Sequence, residues 1–96
     1  MPKKNDSPMF EIIEEYDVLE ESGNQNIEIN KVAWNGRPPK IDIRRWDHGK
    51  EDGPHPLKGV TLSDEACERL AISLLQLGYG GMKDIARIFN ERKQNK

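Results

Sequence analysis

Cysteine and histidine, the residues that form disulfides and metal sites in many small proteins, are almost absent from this sequence. Of its 96 residues only Cys67 is a cysteine, and only two are histidines. A single thiol excludes an internal disulfide framework and a cysteine-based zinc site, and it is typical of a reducing cytoplasm. No apolar run approaches the roughly 18 residues of a membrane span, and residues 1–8 lack a signal peptide's apolar segment. We therefore expect a cytoplasmic protein that has no membrane partner.

Apolar side chains are scarce as well. Aromatic residues make up 6% of the chain and hydrophobic residues 34%, while 33% are charged. A chain of this size and polarity buries only a thin core, so a helix layered on a sheet, or dimerisation, is expected to complete it.

The charges that are present are segregated along the chain. Every charged residue from Glu11 to Glu28 is acidic, although the net charge is only −2. Bases dominate the next segment: Lys31, Arg37, Lys40, Arg44, Arg45, Lys50 and Lys58. Such segregation can create a positive surface that attracts an anionic partner, and the alternative is a merely solvated surface.

The pattern of apolar and turn residues predicts four strands followed by two helices. Strands are expected over residues 10–21, 26–34, 40–46 and 57–62, with a hairpin turn at Asn35-Gly36. Ser63 is suited to cap a helix that runs to about Leu77, and a second short helix covers residues 82–93. We predict an α+β fold of order ββββα plus a C-terminal helix. We expect residues 1–8 to form a disordered arm, 9–80 one domain, and 81–96 the last helix with a basic tail.

Strand alternation assigns both tryptophans to one face of the predicted sheet. Ile27 and Ile29 define the buried face of the second strand, which turns Trp34 to the opposite, exposed face. In the third strand the same rule turns Trp46 outward, together with Lys40 and Arg44. The exposed faces of the two strands fall on the same side of the sheet if the hairpin loop has an odd number of residues, such as three. Lys31 and Arg45 then point the other way.

Exposed tryptophans beside lysine and arginine suit single-stranded nucleic acid, which offers a π-face on every base and a negative charge on every phosphate. Duplex reading is less natural, since no helix concentrates Arg, Asn or Gln for a major groove. The competing interpretation is that a tryptophan packs in the small core or in a protein interface.

The segment from Ile27 to Leu70 resembles the positive-cofactor-four family of transcriptional coactivators, and most closely its small bacterial members, the YdbC-type proteins. The resemblance rests on Trp34-Asn35-Gly36-Arg37, on Ile41-Asp42-Ile43-Arg44 followed by Trp46, and on the Lys58-Gly59-Val60-Thr61-Leu62-Ser63 junction before a helix. Asn35 departs from the lysine usual at that position, and Pro38-Pro39 is a further departure.

That resemblance implies a curved four-stranded antiparallel sheet with a helix across it, in a homodimer that packs through its helices. It also implies grooves that bind single-stranded DNA with little sequence preference, in transcription regulation, replication or repair, and hence a nucleoid-associated location. The predicted nucleic-acid-binding residues are Trp34, Arg37, Lys40, Arg44, Trp46, Lys58 and Lys31. A protein-interaction module for an acidic partner and a single-stranded RNA binder remain open.

No catalytic, cofactor or metal site is expected. His48, His55 and Asp47 share a loop, but their spacing matches no ligand motif. Cys67 falls on the apolar stripe of the predicted helix, which favours a small buried residue over a nucleophile. No serine or cysteine has an identifiable base partner, so we expect a binding protein.

Overall fold

The computed structural model describes residues 9–94, which form four antiparallel strands followed by two helices. The bounds are β1 (Phe10–Ser22), β2 (Gln25–Trp34), β3 (Lys40–Asp47), β4 (His55–Leu62), α1 (Asp64–Gln76) and α2 (Met82–Gln94). The α+β class and the element order are confirmed. The predicted arm, residues 1–8, and the last two residues of the predicted tail lie outside the described residues. None of the helices in residues 9–94 combines the length and apolar character needed to cross a membrane.

The strands form one curved, open sheet in the order β1-β2-β3-β4. All three pairings are antiparallel, so each strand pairs with its neighbour in sequence. Contacts within the described part divide the chain at the Glu65–Ala66 bond into a sheet unit and a helical unit.

The hairpin between β2 and β3 begins with the predicted turn. Asn35 and Gly36 both have positive φ, of 54° and 76°, and the amide of Arg37 donates to the carbonyl of Trp34 over 2.9 Å. This is the two-residue turn that Asn-Gly favours. Pro38 and Pro39 cannot donate to a ladder, so β3 begins only at Lys40 and the loop has five residues, where three were predicted. Its length is still odd, as the alternation requires.

Strand β1 is irregular in a periodic way. Its register against β2 shifts three times, around Ile13, Tyr16 and Leu19, and these residues are 46%, 73% and 54% exposed. One extra residue at each step converts the period of two into a local period of three. Four acidic residues that are three apart therefore oppose β2 residues of one face: Glu11, Glu14, Asp17 and Glu20.

In β4 a glycine is required by close contact with β3. Gly59 lies directly opposite Arg44, and a Cβ built on Gly59 would lie 1.9 Å from the Cβ of Arg44. A side chain at this position would force the two strands apart, so glycine is required after Lys58 for steric reasons.

The helical unit ends α1 with a glycine cap. Gly78 has a φ of 101°, its amide donates to the carbonyl of Leu75, and the amide of Tyr79 donates to the carbonyl of Leu74. This pair of bonds is a Schellman motif with Gly78 at the predicted C′ position. No residue of α1 or α2 is buried, and the large apolar side chains of both helices are exposed except that of Ile85, which is half-buried.

Candidate nucleic-acid interface

The register confirms that both tryptophans lie on one face of the sheet. Trp46 pairs with Asn26, and Phe10 pairs with Trp34. Because directly opposed residues share a face, the following side chains lie together. We call them the tryptophan face: Phe10, Asn26, Glu28, Asn30, Val32, Trp34, Lys40, Asp42, Arg44 and Trp46.

The prediction that this face is the exposed one is wrong for most of its residues. Trp46, Val32 and Asp42 are each 0% exposed, whereas Ile27 and Ile29 on the other face are only half-buried. The alternation rule assigns polar side chains to the exposed face. On this curved face, however, the polar side chains form hydrogen bonds with one another and are buried at its centre. Trp46 is therefore inaccessible in this conformation.

Asp42 organises the centre of the tryptophan face. Its carboxylate accepts from Nε1 of Trp34 at 3.2 Å and from Oγ1 of Thr61 at 2.8 Å. It also accepts from Nε and NH2 of Arg44, at 2.9 and 2.8 Å. The buried charge is thus paired and fully hydrogen-bonded, the condition under which a buried carboxylate is tolerated.

Arg44 is held inside the face by three different partners. Besides the two bonds to Asp42, its NH1 donates to the carbonyl of Leu57 at 2.8 Å, and its guanidinium carbon lies 4.7 Å from the centroid of the Trp34 ring. The guanidinium therefore covers one face of Trp34. Arg44 is close to the predicted stacking residue, but its charge is already balanced by Asp42.

A second polar network occupies the other end of the face. The Glu28 carboxylate lies 2.6 Å from Nε2 of His48 and accepts from the side-chain amide of Asn30 at 3.2 Å. An open cleft of about 370 Å³ lies here, lined by Ile12, Glu15, Tyr16, Asp17, Val18, Glu28, Asn30, His48 and Pro54. Glu28 and Glu15, which pairs with Asn30, place two carboxylates on this face, and they make this end unfavourable for a phosphate backbone.

The hairpin end of the face has the opposite charge. A cavity of about 440 Å³ is lined by Val32, Trp34, Arg37, Pro38, Lys40 and Thr61. Arg37 and Lys40 are exposed, and neither forms an ion pair within the described residues. The cavity thus joins an aromatic ring and apolar walls to two available cations. Of the seven predicted binding residues, it brings together Trp34, Arg37 and Lys40.

The two remaining predicted cations, Lys31 and Lys58, lie elsewhere. Lys31 is exposed but pairs with Ile41 and Glu14, on the face opposite Trp34. Arg45 pairs with Ile27 and shares that opposite face, in agreement with the alternation. Lys58 is exposed and occupies the irregular step of β4 between Gly59 and Pro56.

Sequence reasoning missed Phe10 and the role of Asp42. The ring of Phe10 lies 5.6 Å from that of Trp34 and 5.2 Å from that of Trp46, measured between centroids. The available signal was an aromatic residue at the start of β1, but the partner of that residue depends on a register that three bulges alter. For Asp42 the signal was an acid alone among bases in the third strand.

The loop histidines are explained by local pairs. His48 contacts Glu28, and Nε2 of His55 lies 2.8 Å from Oδ1 of Asp52. The hydrogen bond with His55 lowers the pKa of Asp52, which is exposed. Within residues 9–94, no three His, Cys, Asp or Glu side chains are arranged to hold a metal ion.

Comparison with known proteins finds a relative in Treponema pallidum (strain Nichols). The two sequences are 40% identical over 60 residues, which is 62% of this chain and 67% of the treponemal protein. The chain belongs to the family of that protein. The treponemal member is described only as an uncharacterized protein, and no family model matches the chain. Family membership therefore shows common descent, and the function has to be inferred from the site.

Proposed function

We propose that the protein binds single-stranded DNA, with little sequence preference, through the hairpin end of the tryptophan face. The observation that carries this proposal is the cavity that joins Trp34 to Arg37 and Lys40. An aromatic surface beside unpaired cations matches the bases and phosphates of an unpaired strand. The resemblance to the positive-cofactor-four family supports the same ligand and a part in transcription regulation, replication or repair near the nucleoid.

The charges on the tryptophan face favour one end of it for the strand. Arg37 and Lys40 attract phosphate at the hairpin end, while Glu15 and Glu28 repel it at the other. The bound strand is therefore short on each protomer and crosses the hairpin end of the sheet. In this revised interface, Trp34 stacks, Arg44 holds one face of Trp34, and Trp46 supports the face from within.

A homodimer is part of the proposal. The predicted apolar stripe is exposed over the second half of α1 and just beyond its end, with Leu70 at 38%, Leu74 at 42% and Leu77 at 73%. A contiguous apolar stripe on a helix is typical of a protein interface. A second copy that covers this stripe would agree with the helix-mediated dimer of the resembled family.

Tryptophan fluorescence tests the proposal because the two tryptophans differ in accessibility. In a Trp46→Phe variant, titration with oligo-dT is expected to quench the remaining emission of Trp34, since a stacked base contacts its ring. In a Trp34→Phe variant, the buried Trp46 is expected to keep its emission. Trp34→Ala is expected to weaken binding by about five- to 150-fold, which corresponds to roughly 1–3 kcal/mol for one stacked base.

The same titration separates the alternatives. Quenching by oligo-rU in preference to oligo-dT would indicate an RNA binder, and a preference for duplex would contradict the single-strand proposal. If neither variant responds to any nucleic acid, the cations of the hairpin serve another partner, such as an acidic protein.

A further inference from the structure

Phe10 contacts the rings of both tryptophans. It begins β1 and pairs with Trp34, and its ring centroid lies 5.6 Å from that of Trp34 and 5.2 Å from that of Trp46. Phe10 is half-buried, whereas Trp46 is 0% exposed. Of these two rings, only Phe10 offers surface that a ligand can reach.

Trp46 behaves as a support for that ring. The planes of Phe10 and Trp46 are inclined by 62°, an edge-to-face contact of the kind that stabilises aromatic pairs. Nε1 of Trp46 is buried and has no hydrogen-bond partner within the described residues. The contribution of Trp46 to this face is therefore apolar contact with its neighbours.

Trp34 alone provides a limited stacking surface. The guanidinium of Arg44 covers one of its faces at 4.7 Å. An extended single strand presents successive bases, and proteins that bind it without sequence preference stack those bases on more than one aromatic side chain. Phe10 is the aromatic ring next to Trp34 on the same face and at the cationic end of it.

The backbone fixes Phe10 relative to the cavity. The amide of Met9 donates to Oδ1 of Asn35 over 3.1 Å, and the amide of Asn35 donates to the carbonyl of Met9 over 2.7 Å. The start of β1 is thereby joined to the turn that carries Arg37. Asn35 has a structural use here that a lysine side chain, which has no acceptor, could not reproduce.

We propose that Phe10 is a base-stacking residue of this interface, and that with Trp34 it forms a two-ring platform supported by the buried Trp46. The inference rests on the proposed function, because it assigns a second contact within the same single-strand site. It also explains why the two tryptophans of the sequence are not equivalent.

The test uses substitutions that separate the ring from its volume. Phe10→Leu keeps an apolar side chain but removes the π-face, and we expect it to weaken oligo-dT binding by about five- to 150-fold. Phe10→Tyr keeps the ring, and binding close to that of the unsubstituted protein is expected. Thermal unfolding of both variants shows whether the sheet is retained. Equal binding by Phe10→Leu, or a loss that Phe10→Tyr does not recover, would overturn the role.

A second measurement applies even if Phe10→Leu fails to fold. The chain contains only two phenylalanines, so incorporation of 4-fluorophenylalanine produces two ¹⁹F signals, from Phe10 and Phe89. Addition of oligo-dT is expected to shift the Phe10 signal. If the Trp34 emission is quenched while this signal does not move, only the role of Phe10 is refuted. If oligo-dT changes neither, the proposed function itself fails.

Discussion

Trp34 and Trp46 share a face of the sheet but differ in depth. The indole nitrogen of Trp34 is bonded to Asp42 and its ring borders the hairpin cavity, while Trp46 is enclosed. Alternation within each strand is enough to predict the shared face. The burial of each tryptophan depends on Phe10, which belongs to another strand, and on the hydrogen bonds among the neighbouring polar side chains. Neither is visible in the local pattern, so the exposure of Trp46 was predicted wrongly.

Asp42 offers a prediction about stability at the same scale. Asp42→Ala removes the counter-ion of Arg44, whose side chain is only 15% exposed. We expect the free energy of unfolding to fall by about 3–5 kcal/mol, because a half-buried guanidinium is left unpaired. Urea unfolding monitored by circular dichroism measures the change. Asp52→Ala is the matched control, since its pair with His55 is exposed. Similar midpoints for the two variants would show that the buried pair does not stabilise the fold.

At the scale of the elements, the order of strands and helices could be predicted from the sequence because each element has a local signal. Asn35-Gly36 specifies the turn, and Gly78 specifies the end of α1. The bulges of β1 could not be predicted from the sequence. Phe10 to Glu21 alternates imperfectly, and only the register against β2 shows that Ile13, Tyr16 and Leu19 are the extra residues. The assignment of inside and outside failed for a related reason, since a closed polar network cannot be distinguished from a solvated surface in one strand.

The two faces of β2 and β3 lead to a prediction about salt. Lys40 borders the cavity, while Lys31 is exposed on the opposite face. For single strands, the slope of log Kobs against log salt concentration is about −0.7 for each phosphate that is neutralised. Lys40→Gln is therefore expected to make the slope shallower by about 0.7, with weaker binding to oligo-dT. Lys31→Gln, the same change on the other face, is expected to leave both unchanged. An equal effect of the two variants would contradict the assignment of the interface.

At the scale of the whole molecule, the exposed stripe of α1 predicts a dimer. Light scattering is expected to measure twice the chain mass of 11.0 kDa. Leu74→Glu introduces charge into the stripe and is expected to yield a species of 11.0 kDa. Ile72→Glu makes the same change off the stripe, at a residue that is also exposed, and should leave the dimer intact. A monomer for the unsubstituted chain, or equal effects of both variants, would exclude this interface.

The bulged strand β1 has a consequence for how the molecule behaves in a crowded solution. It is 13 residues long and forms one margin of an open sheet, so its outer backbone groups are available to another chain. A flat margin of that length would be a template for strand addition and self-association. Three bulges interrupt the regular row of donors and acceptors, and six carboxylates along the strand repel a second copy. The acidic residues and bulges of β1 therefore protect the sheet from joining other sheets.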